Sequence, residues 1–251
     1  MQSKNIKIVA DSSSDLFSLD SVCFESAPLK ILTDEKEYVD NEALDLADMV
    51  DTLSHYKGKS STSCPNINDW LKVFGDAEEI YCFTITATLS GSYNAAVLAK
   101  QEYEEAHPER KVFVLNTLST GPEMALLIEK TKELILSGQD FENICKSVTE
   151  YSQNTGLIFM LESMQNLANN GRVSRIVAKA AGLLGIRVVG KASSKGDLEP
   201  LAKCRGVERA LENIVFQLLS EGFKGGKIRI THCFNLSAAE KLATLLRSKF
   251  S

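Results

Sequence analysis

Short apolar runs alternate with helical patterns along the chain, and this order constrains the possible folds more than any other feature of the sequence. The runs typical of buried strands are IKIVA (6–10), EIYCFTI (79–85), KVFVL (111–115), GLIFML (156–161) and KIRIT (227–231). The patterns typical of helices include ALDLADMVDTLSHY, NINDWLKVF, SYNAAVLAKQEYEEA, EMALLIEKTKELILS and FENICKSVTEYSQ. Because strands that alternate with helices pair in parallel, we predict an α/β fold with a parallel sheet covered by helices.

The pattern of residue types changes after Leu161, and this change predicts a second, smaller domain. The patterns that follow are a small-residue helix (SRIVAKAAGLLG, 174–185), a short strand (IRVVG, 186–190) and a polar turn (SSKGDLEP, 193–200). The polar stretch at 153–156 is a plausible hinge between the two parts. We therefore predict a first α/β domain over residues 1–155 and a second α/β domain over residues 156–251.

Charge and composition argue against several classes of protein. The net charge of -5 argues against a general nucleic-acid binder, because phosphate contacts need an excess of lysine and arginine. Apolar runs stay short of the roughly 18 residues that span a bilayer, and the first residues carry no leader pattern, so we expect a cytoplasmic protein without stable membrane insertion. The 6 cysteines are scattered and lack metal-ligand spacing, so we expect reduced thiols, no metal site and no cofactor.

Three hydroxyl-rich loops follow predicted strands or precede predicted helices: Asp11–Asp15, Ser60–Asn66 around Thr62 and Ser63, and Ser90-Gly91-Ser92. Each loop taken alone is explained as well by a turn and a helix cap, because serine and asparagine satisfy free backbone N–H groups there. Loops at the carboxyl ends of parallel strands nevertheless share one edge of a sheet. Gly91 and the helix after it favour a negatively charged group, so the sequence predicts a site for a carboxylate or a phosphate.

Other chemistry finds little support. The sequence lacks a G-x-S-x-G motif, and His55 and His107 read as surface residues, which disfavours a hydrolase. His232 follows KIRIT and is interpreted either as support for a site or as a structural histidine. The stretch Gly185–Lys191 begins like a phosphate-binding loop, but Ala192 stands where a serine or threonine would hold magnesium, and IRVV is typical of a strand.

Eight motifs in order carry a resemblance to a known family. They are IVADSSSDL, PLKILTDEKEYVD, STSCP, TLSGSYNAA, LNTLSTG, LANNGRVSR, GDLEPLAKCRG and THCFN. Together they resemble the DegV family of fatty-acid-binding proteins, which includes the binding subunit of bacterial fatty-acid kinase. The resemblance spans nearly the whole chain.

The resemblance implies a Rossmann-like first domain, a smaller second domain that binds the lipid tail, and one long-chain fatty acid in a tunnel between them. It assigns Thr62 and Ser90 to the carboxylate, with Ser63, Gly91 and Ser92 beside them, and His232 to their support. Arg172 and Arg205 are assigned to a surface for a fatty-acid kinase subunit. The expected protein is a monomeric carrier rather than an enzyme. The alternative is a phosphoryl- or acyl-transferase that uses Ser90-Gly91-Ser92 as a phosphate cradle.

Four features depart from the family pattern: Asn116 stands for a usual Asp, Cys64 for a common Gln, Asn170 for the first Gly of a G-G-R turn, and Val188-Val189 for a K-P-I-like strand. The carboxylate loops match the family pattern, whereas the departures affect the expected partner surface and the expected selectivity for acyl chain length.

Overall fold

The protein is described by a computed structural model that covers residues 4–173 and 185–250. The chain divides into two compact units, Met1–Thr155 and Gly156–Ser251. Each unit has its own sheet and its own hydrophobic core.

The first unit combines a parallel sheet with a small antiparallel sheet. Its strands are β1 (Ile6–Asp11), β2 (Cys23–Ala27), β3 (Lys30–Leu32), β4 (Glu37–Val39), β5 (Ser61–Ser63), β6 (Glu79–Thr84) and β7 (Lys111–Asn116). Its α-helices are α1 (Leu46–His55), α2 (Ile67–Phe74), α3 (Ser92–Ala106), α4 (Pro122–Leu136) and α5 (Phe141–Ser152). The parallel sheet has the order β2-β1-β6-β7, which confirms the predicted α/β fold.

Side chains alternate between the two faces of the central strands, and they form a hydrophobic core on each face of the parallel sheet. Val9 of β1 packs into a cluster with Trp70 and Phe74 of α2. Its neighbour Ile8 faces the opposite side and packs into a cluster with Ile128 of α4 and Ile144 of α5. Burial on both faces explains why these strands read as continuous apolar runs in the sequence.

The antiparallel sheet of the first unit has the order β4-β3-β5 and was not predicted. Its three strands have 3 residues each, too few to give a clear alternating pattern. In the register of this sheet Ile31 of β3 lies opposite Thr62 of β5. The chain then leaves β5 for α2, which begins with a reciprocal capping box between Asn66 and Asp69.

The second unit is an antiparallel sheet with helices. Its elements are β8 (Ile158–Leu161), α6 (Gln165–Asn169), β9 (Ile186–Ala192), β10 (Leu198–Arg205), α7 (Val207–Ser220) and α8 (Leu236–Phe250). The strand order is β10-β9-β8, and Val189 packs with Leu211 and Ile214 of α7. The helix predicted at 174–185 lies, apart from its last residue, outside the described residues.

The strand predicted at 227–231 is wrong. The structure assigns no strand to these residues, and Ile228 is 39% exposed. The stretch follows Gly225 and Gly226, which have φ values of 130° and 127° that side chains rarely adopt. A β-prone composition forms a strand only where a neighbouring strand supplies hydrogen bonds and packing.

Candidate functional site

Two of the three hydroxyl-rich loops contact each other at Gly91 and Cys64. A Cβ atom built on Gly91 would lie 3.3 Å from the Cys64 sulfur, closer than most side chains approach each other. The Ser90-Gly91-Ser92 loop leads into α3, which begins at Ser92, and Cys64 directly follows β5 with its Thr62 and Ser63. The structure therefore brings together two loops that are far apart in sequence, and the space where they touch favours a glycine.

Thr62 and Ser63 lie on opposite faces of β5, because successive side chains in a strand alternate. Cys64 precedes Pro65, which restricts Cys64 to extended backbone, so its side chain follows the direction of Thr62 rather than that of Ser63. The Thr62 side chain is exposed, and its hydroxyl makes no hydrogen bond to any described residue. Thr62 thus carries a free hydroxyl on the side of the strand where Cys64 meets Gly91.

Ser90 keeps its hydroxyl proton available, whereas Ser92 does not. The Ser90 oxygen accepts a hydrogen bond from the Ser92 N–H at 3.3 Å, and within the described chain it donates to no group. Ser92 is fully buried, and its hydroxyl donates to the Asp11 carboxylate at 2.6 Å. The prediction that Ser92 contacts a ligand therefore conflicts with its geometry, since its side chain points into the protein.

Asp11, at the end of β1, is a buried carboxylate that three groups donate to. Ser92 Oγ and the Ile85 N–H donate to Oδ2 at 2.6 and 2.9 Å, and Ser13 Oγ donates to Oδ1 at 2.5 Å. Burial raises the pKa of the Asp11 carboxyl, and the hydrogen bonds from Ser13, Ser92 and Ile85 oppose that rise. The sequence drew attention to the loop after β1 but gave no sign that Asp11 reaches a serine 81 positions away.

The remaining hydroxyls of the loop after β1 serve the fold. This loop is a 3-10 helix over Ser12–Ser14. Ser12 Oγ accepts from the Leu29 N–H at 3.0 Å, and Ser14 Oγ accepts from the Leu16 N–H at 3.4 Å. Of the two interpretations that the sequence left open, the structural one fits these hydroxyls.

A second link between loops was missed by the sequence reasoning. The Asn116 side-chain oxygen accepts hydrogen bonds from the Ala87 N–H and the Leu118 N–H, both at 3.2 Å. The Thr86 N–H donates to the Ser119 carbonyl at 2.8 Å. These bonds join the loops that follow β6 and β7, and the Leu118 φ of 54° shows how tight the second loop is.

His232 lies in an exposed turn before α8 rather than at the end of a strand. Its Nδ1 accepts a hydrogen bond from the Asn235 N–H at 3.3 Å, a bond internal to this turn. Support of the carboxylate by His232 stays a prediction, because the strand that was to place its side chain does not form.

The two arginines assigned to a partner surface lie in the second unit. Arg172 is half-buried after Gly171 and donates to the Asn170 carbonyl at 2.6 Å. Arg205 is exposed at the end of β10. Residues 186–191 belong to β9, so the dismissed resemblance to a phosphate-binding loop is explained by a strand.

Three further features of the described chain concern metal sites, cysteines and membrane spans. Its histidine, cysteine, aspartate and glutamate side chains form no group of three or more that is placed to hold a metal ion. All six cysteines are free thiols. Among the described helices, none has both the length and the apolar composition needed to cross a membrane.

Comparisons with known proteins concern the family of the whole chain. A family model described as "Uncharacterised protein, DegV family" matches residues 5–251. A DegV domain-containing protein of Streptococcus pneumoniae is 39% identical over 248 residues, which are 97% of this chain and 88% of the relative.

Two solved structures resemble the chain closely. One is a DegV family protein from Eubacterium eligens loaded with heptadecanoic acid, with 44% identity and a TM-score of 0.96. The other is the Fatty Acid Kinase (Fak) B3 protein of Streptococcus pneumoniae loaded with linoleic acid, with 38% identity and a TM-score of 0.96. Each match covers 98% of this chain and 89% of the other. The chain thus belongs to the DegV family.

Proposed function

We propose that this protein binds a long-chain fatty acid and holds its carboxylate with the hydroxyls of Thr62 and Ser90. The observation that carries the proposal is the contact of Cys64 with Gly91, which brings together two loops whose free hydroxyls can both donate to one anion. Related structures hold heptadecanoic and linoleic acids, which supports the choice of ligand. Ser63 is left out of the site because it shares the opposite face of β5 with Ser61.

The acyl tail supplies most of the affinity in this proposal. Burial of a methylene group is favourable by about 0.8 kcal/mol. A hydrogen bond to a charged group contributes about 1.5–3 kcal/mol. A long tail therefore outweighs two hydroxyls, which set the position of the carboxylate. The tunnel between the two domains stays a prediction of the sequence.

Direct binding tests this proposal. Native mass spectrometry of freshly purified protein should detect a bound fatty acid. After removal of lipid, the protein should bind octadecanoic acid more tightly than its methyl ester. Thr62→Ala and Ser90→Ala should each weaken binding of the acid by roughly tenfold, the cost of one hydrogen bond to a charged group.

Ser61→Ala is the matched control for Thr62→Ala, because it removes an exposed hydroxyl from the opposite face of the same strand. Its affinity for the acid should match that of the unchanged protein. Equal affinity for acid and ester, or equal losses in Thr62→Ala and Ser61→Ala, would contradict the assignment.

We further propose that the bound carboxylate is presented to a separate kinase. Hydroxyls, unlike an arginine, hold a carboxylate without neutralising it, so an oxygen stays nucleophilic enough to accept a phosphoryl group. The relative named as a fatty acid kinase protein supports this step.

We also propose that the protein works in the cytoplasm. The kinase step needs ATP, and the six cysteines are free thiols, as is usual for proteins of that compartment. We propose a monomer, which light scattering after gel filtration tests.

Arg172 and Arg205 are the proposed contacts with the kinase. With a cognate kinase and ATP, the loaded protein should yield acyl phosphate. Arg172→Ala should lower that yield while affinity for the fatty acid is kept. A parallel loss of lipid binding in Arg172→Ala would contradict a partner role, and absence of acyl phosphate with the unchanged protein would contradict the kinase step.

The alternative, a transferase with a phosphate cradle at Ser90-Gly91-Ser92, is less well supported. The Ser90 N–H donates to the Thr86 carbonyl and the Ser92 N–H to Ser90 Oγ, so two backbone donors of the loop already have acceptors. Turnover of ATP or an acyl ester by the isolated protein would favour the transferase.

A further inference from the structure

Asp11 and Ser92 form a buried pair behind the hydroxyl of Ser90. Ser92 is fully buried, and its hydroxyl donates to Asp11 Oδ2 at 2.6 Å. The N–H of the same Ser92 donates to Ser90 Oγ at 3.3 Å. A chain of hydrogen bonds therefore runs from the end of β1, through the first residue of α3, to the exposed loop.

The direction of these bonds decides what Ser90 can offer to a ligand. A hydroxyl has one proton to donate and lone pairs to accept with. Because the Ser92 N–H already donates to the Ser90 oxygen, the Ser90 proton is directed away from Ser92. This arrangement turns Ser90 into a donor toward the ligand, which fits an ionised carboxylate because that group only accepts.

Asp11 also ties this arrangement to the sheet. The oxygen that accepts from Ser92 accepts from the Ile85 N–H at 2.9 Å, so the end of β6 and the start of α3 share one acceptor. The three groups that bond to the Asp11 carboxylate are all donors, and an ionised carboxylate can only accept hydrogen bonds. Removal of the carboxylate would leave Ser92 without its acceptor and the loop without its link to β1.

We infer that Asp11 and Ser92 are positioning residues that hold Ser90 as a hydrogen-bond donor and thereby make the site select an ionised carboxylate over neutral head groups. The inference rests on the proposed function and extends it from binding to selectivity. Neither side chain touches the ligand. Both act through Ser90.

The test compares octadecanoic acid with its methyl ester, which has the same tail and no charge. Affinities are measured on the full chain, stripped of lipid, for the unchanged protein and for Ser92→Ala, Asp11→Asn and the double variant. Each single variant should lose roughly five- to tenfold of the preference for the acid, with affinity for the ester unchanged. The double variant should lose no more than either single variant, because both changes break one chain of bonds.

Ser13→Ala is the matched control. It removes the hydrogen bond to the other oxygen of the same carboxylate, Oδ1, and leaves the bonds of Oδ2 to Ser92 and Ile85 in place. Its preference for the acid should equal that of the unchanged protein. Ser92→Ala changes the donor of the Ser92–Asp11 hydrogen bond, and Asp11→Asn changes its acceptor. The test of the inference therefore does not depend on the correct folding of one variant.

Three outcomes would overturn the inference: full preference for the acid in Ser92→Ala, equal losses for acid and ester, or additive losses in the double variant. A merely structural role for the pair predicts the second of these. If the unchanged protein itself shows no preference for the acid, the proposed function fails as well. If that preference exists and survives Ser92→Ala and Asp11→Asn, the selectivity role alone fails.

Discussion

Gly91 is the residue at which two separately folded loops meet. An alanine there would place its Cβ 3.3 Å from the Cys64 sulfur, so that the sulfur, or the loop that carries it, would have to move by a few tenths of an ångström. Such a shift changes the distance between the hydroxyls of Thr62 and Ser90. Geometry at this scale matters because hydrogen bonds weaken steeply outside a narrow range of distances and angles.

We predict that Gly91→Ala weakens binding of a fatty acid by roughly three- to tenfold through this displacement. Cys64→Ala in the same chain removes the sulfur and should restore most of the loss. Isothermal titration with octadecanoic acid measures both effects. The prediction fails if Cys64→Ala and Gly91→Ala act additively, because the crowding would then lie elsewhere.

Glu123, in the first turn of α4, provides a test of pH dependence. Burial raises the pKa of its carboxyl above the ordinary value of 4.5, and a hydrogen bond from Thr155 Oγ1 at 2.7 Å opposes that rise. A group whose pKa is raised by folding stabilises the protein most below its unfolded pKa. That stabilisation is lost as pH rises through the folded pKa.

The variant Glu123→Gln should therefore gain stability relative to the unchanged protein as pH rises from about 4.5, and the gain should level off above the folded pKa of Glu123. Thermal or urea unfolding from pH 4 to pH 8 measures the difference. Glu102→Gln changes an exposed glutamate of α3 and should show no such rise. A constant difference between Glu123→Gln and the unchanged protein would refute the assignment.

At this scale the sequence predicted which loops meet but not which way every side chain points. The Thr62 hydroxyl makes no hydrogen bond within the described chain, and the Ser90 hydroxyl only accepts one there, so their assignment to a carboxylate stays a prediction. Ser92 looks equivalent to Ser90 in the string S-G-S, yet the helix that begins at Ser92 turns its side chain inward to Asp11. Side-chain direction depends on tertiary packing, which spacing along a loop does not encode.

Among the secondary-structure elements, β9 shows a strict steric requirement at Gly190. A Cβ atom there would lie 2.5 Å from the Phe159 ring and 2.6 Å from the Glu199 carbonyl oxygen. These neighbours belong to β8 and β10, on either side of β9. The ring has some freedom to move, but the backbone oxygen is fixed by the sheet.

We predict that Gly190→Ala destabilises the second unit by about 1–3 kcal/mol, the usual cost of overpacking. Chemical unfolding monitored by circular dichroism measures the loss. Gly156→Ala is the control within the same unit, since a Cβ there meets no atom within 4 Å. Similar stabilities of the two variants would show that the sheet adapts more easily than its packing indicates.

Predictability from sequence differed between kinds of element. β1 and β6 are buried on both faces and β7 is mostly half-buried, and all three were found from their apolar runs. β3 and β5 have 3 residues each and were missed, because strands of that length are too short to show an alternating pattern. The error at 227–231 is the reverse case, in which β-prone residues are not assigned to a strand, because β propensity depends on the surroundings of the segment.

For the whole molecule, a bound fatty acid should act as a stabiliser. A ligand that binds only the folded state adds about 2.7 kcal/mol at a hundredfold excess over its Kd. For a chain of this size that energy corresponds to roughly 5–10 °C in melting temperature.

Removal of lipid should therefore lower the Tm, and octadecanoic acid should restore it. Differential scanning calorimetry before and after delipidation measures the change, and methyl octadecanoate should restore less than the acid. An unchanged Tm on delipidation would mean either that no lipid was bound or that it binds the unfolded chain equally well.

The small sheet β4-β3-β5 has a consequence for how such a site evolves. It is inserted between β2 and α2, so that in the proposed site Ser90 belongs to the parallel framework and Thr62 to an inserted cassette, residues 29–65. The cassette is anchored near its start, where the Leu29 N–H donates to Ser12 and the Asp40 N–H donates to the Leu29 carbonyl. Exchange of residues 29–65 between relatives would then alter the contribution of Thr62 while the contribution of Ser90 is inherited unchanged. In the proposed site, the segment that carries Thr62 and the framework that carries Ser90 can therefore change independently during evolution.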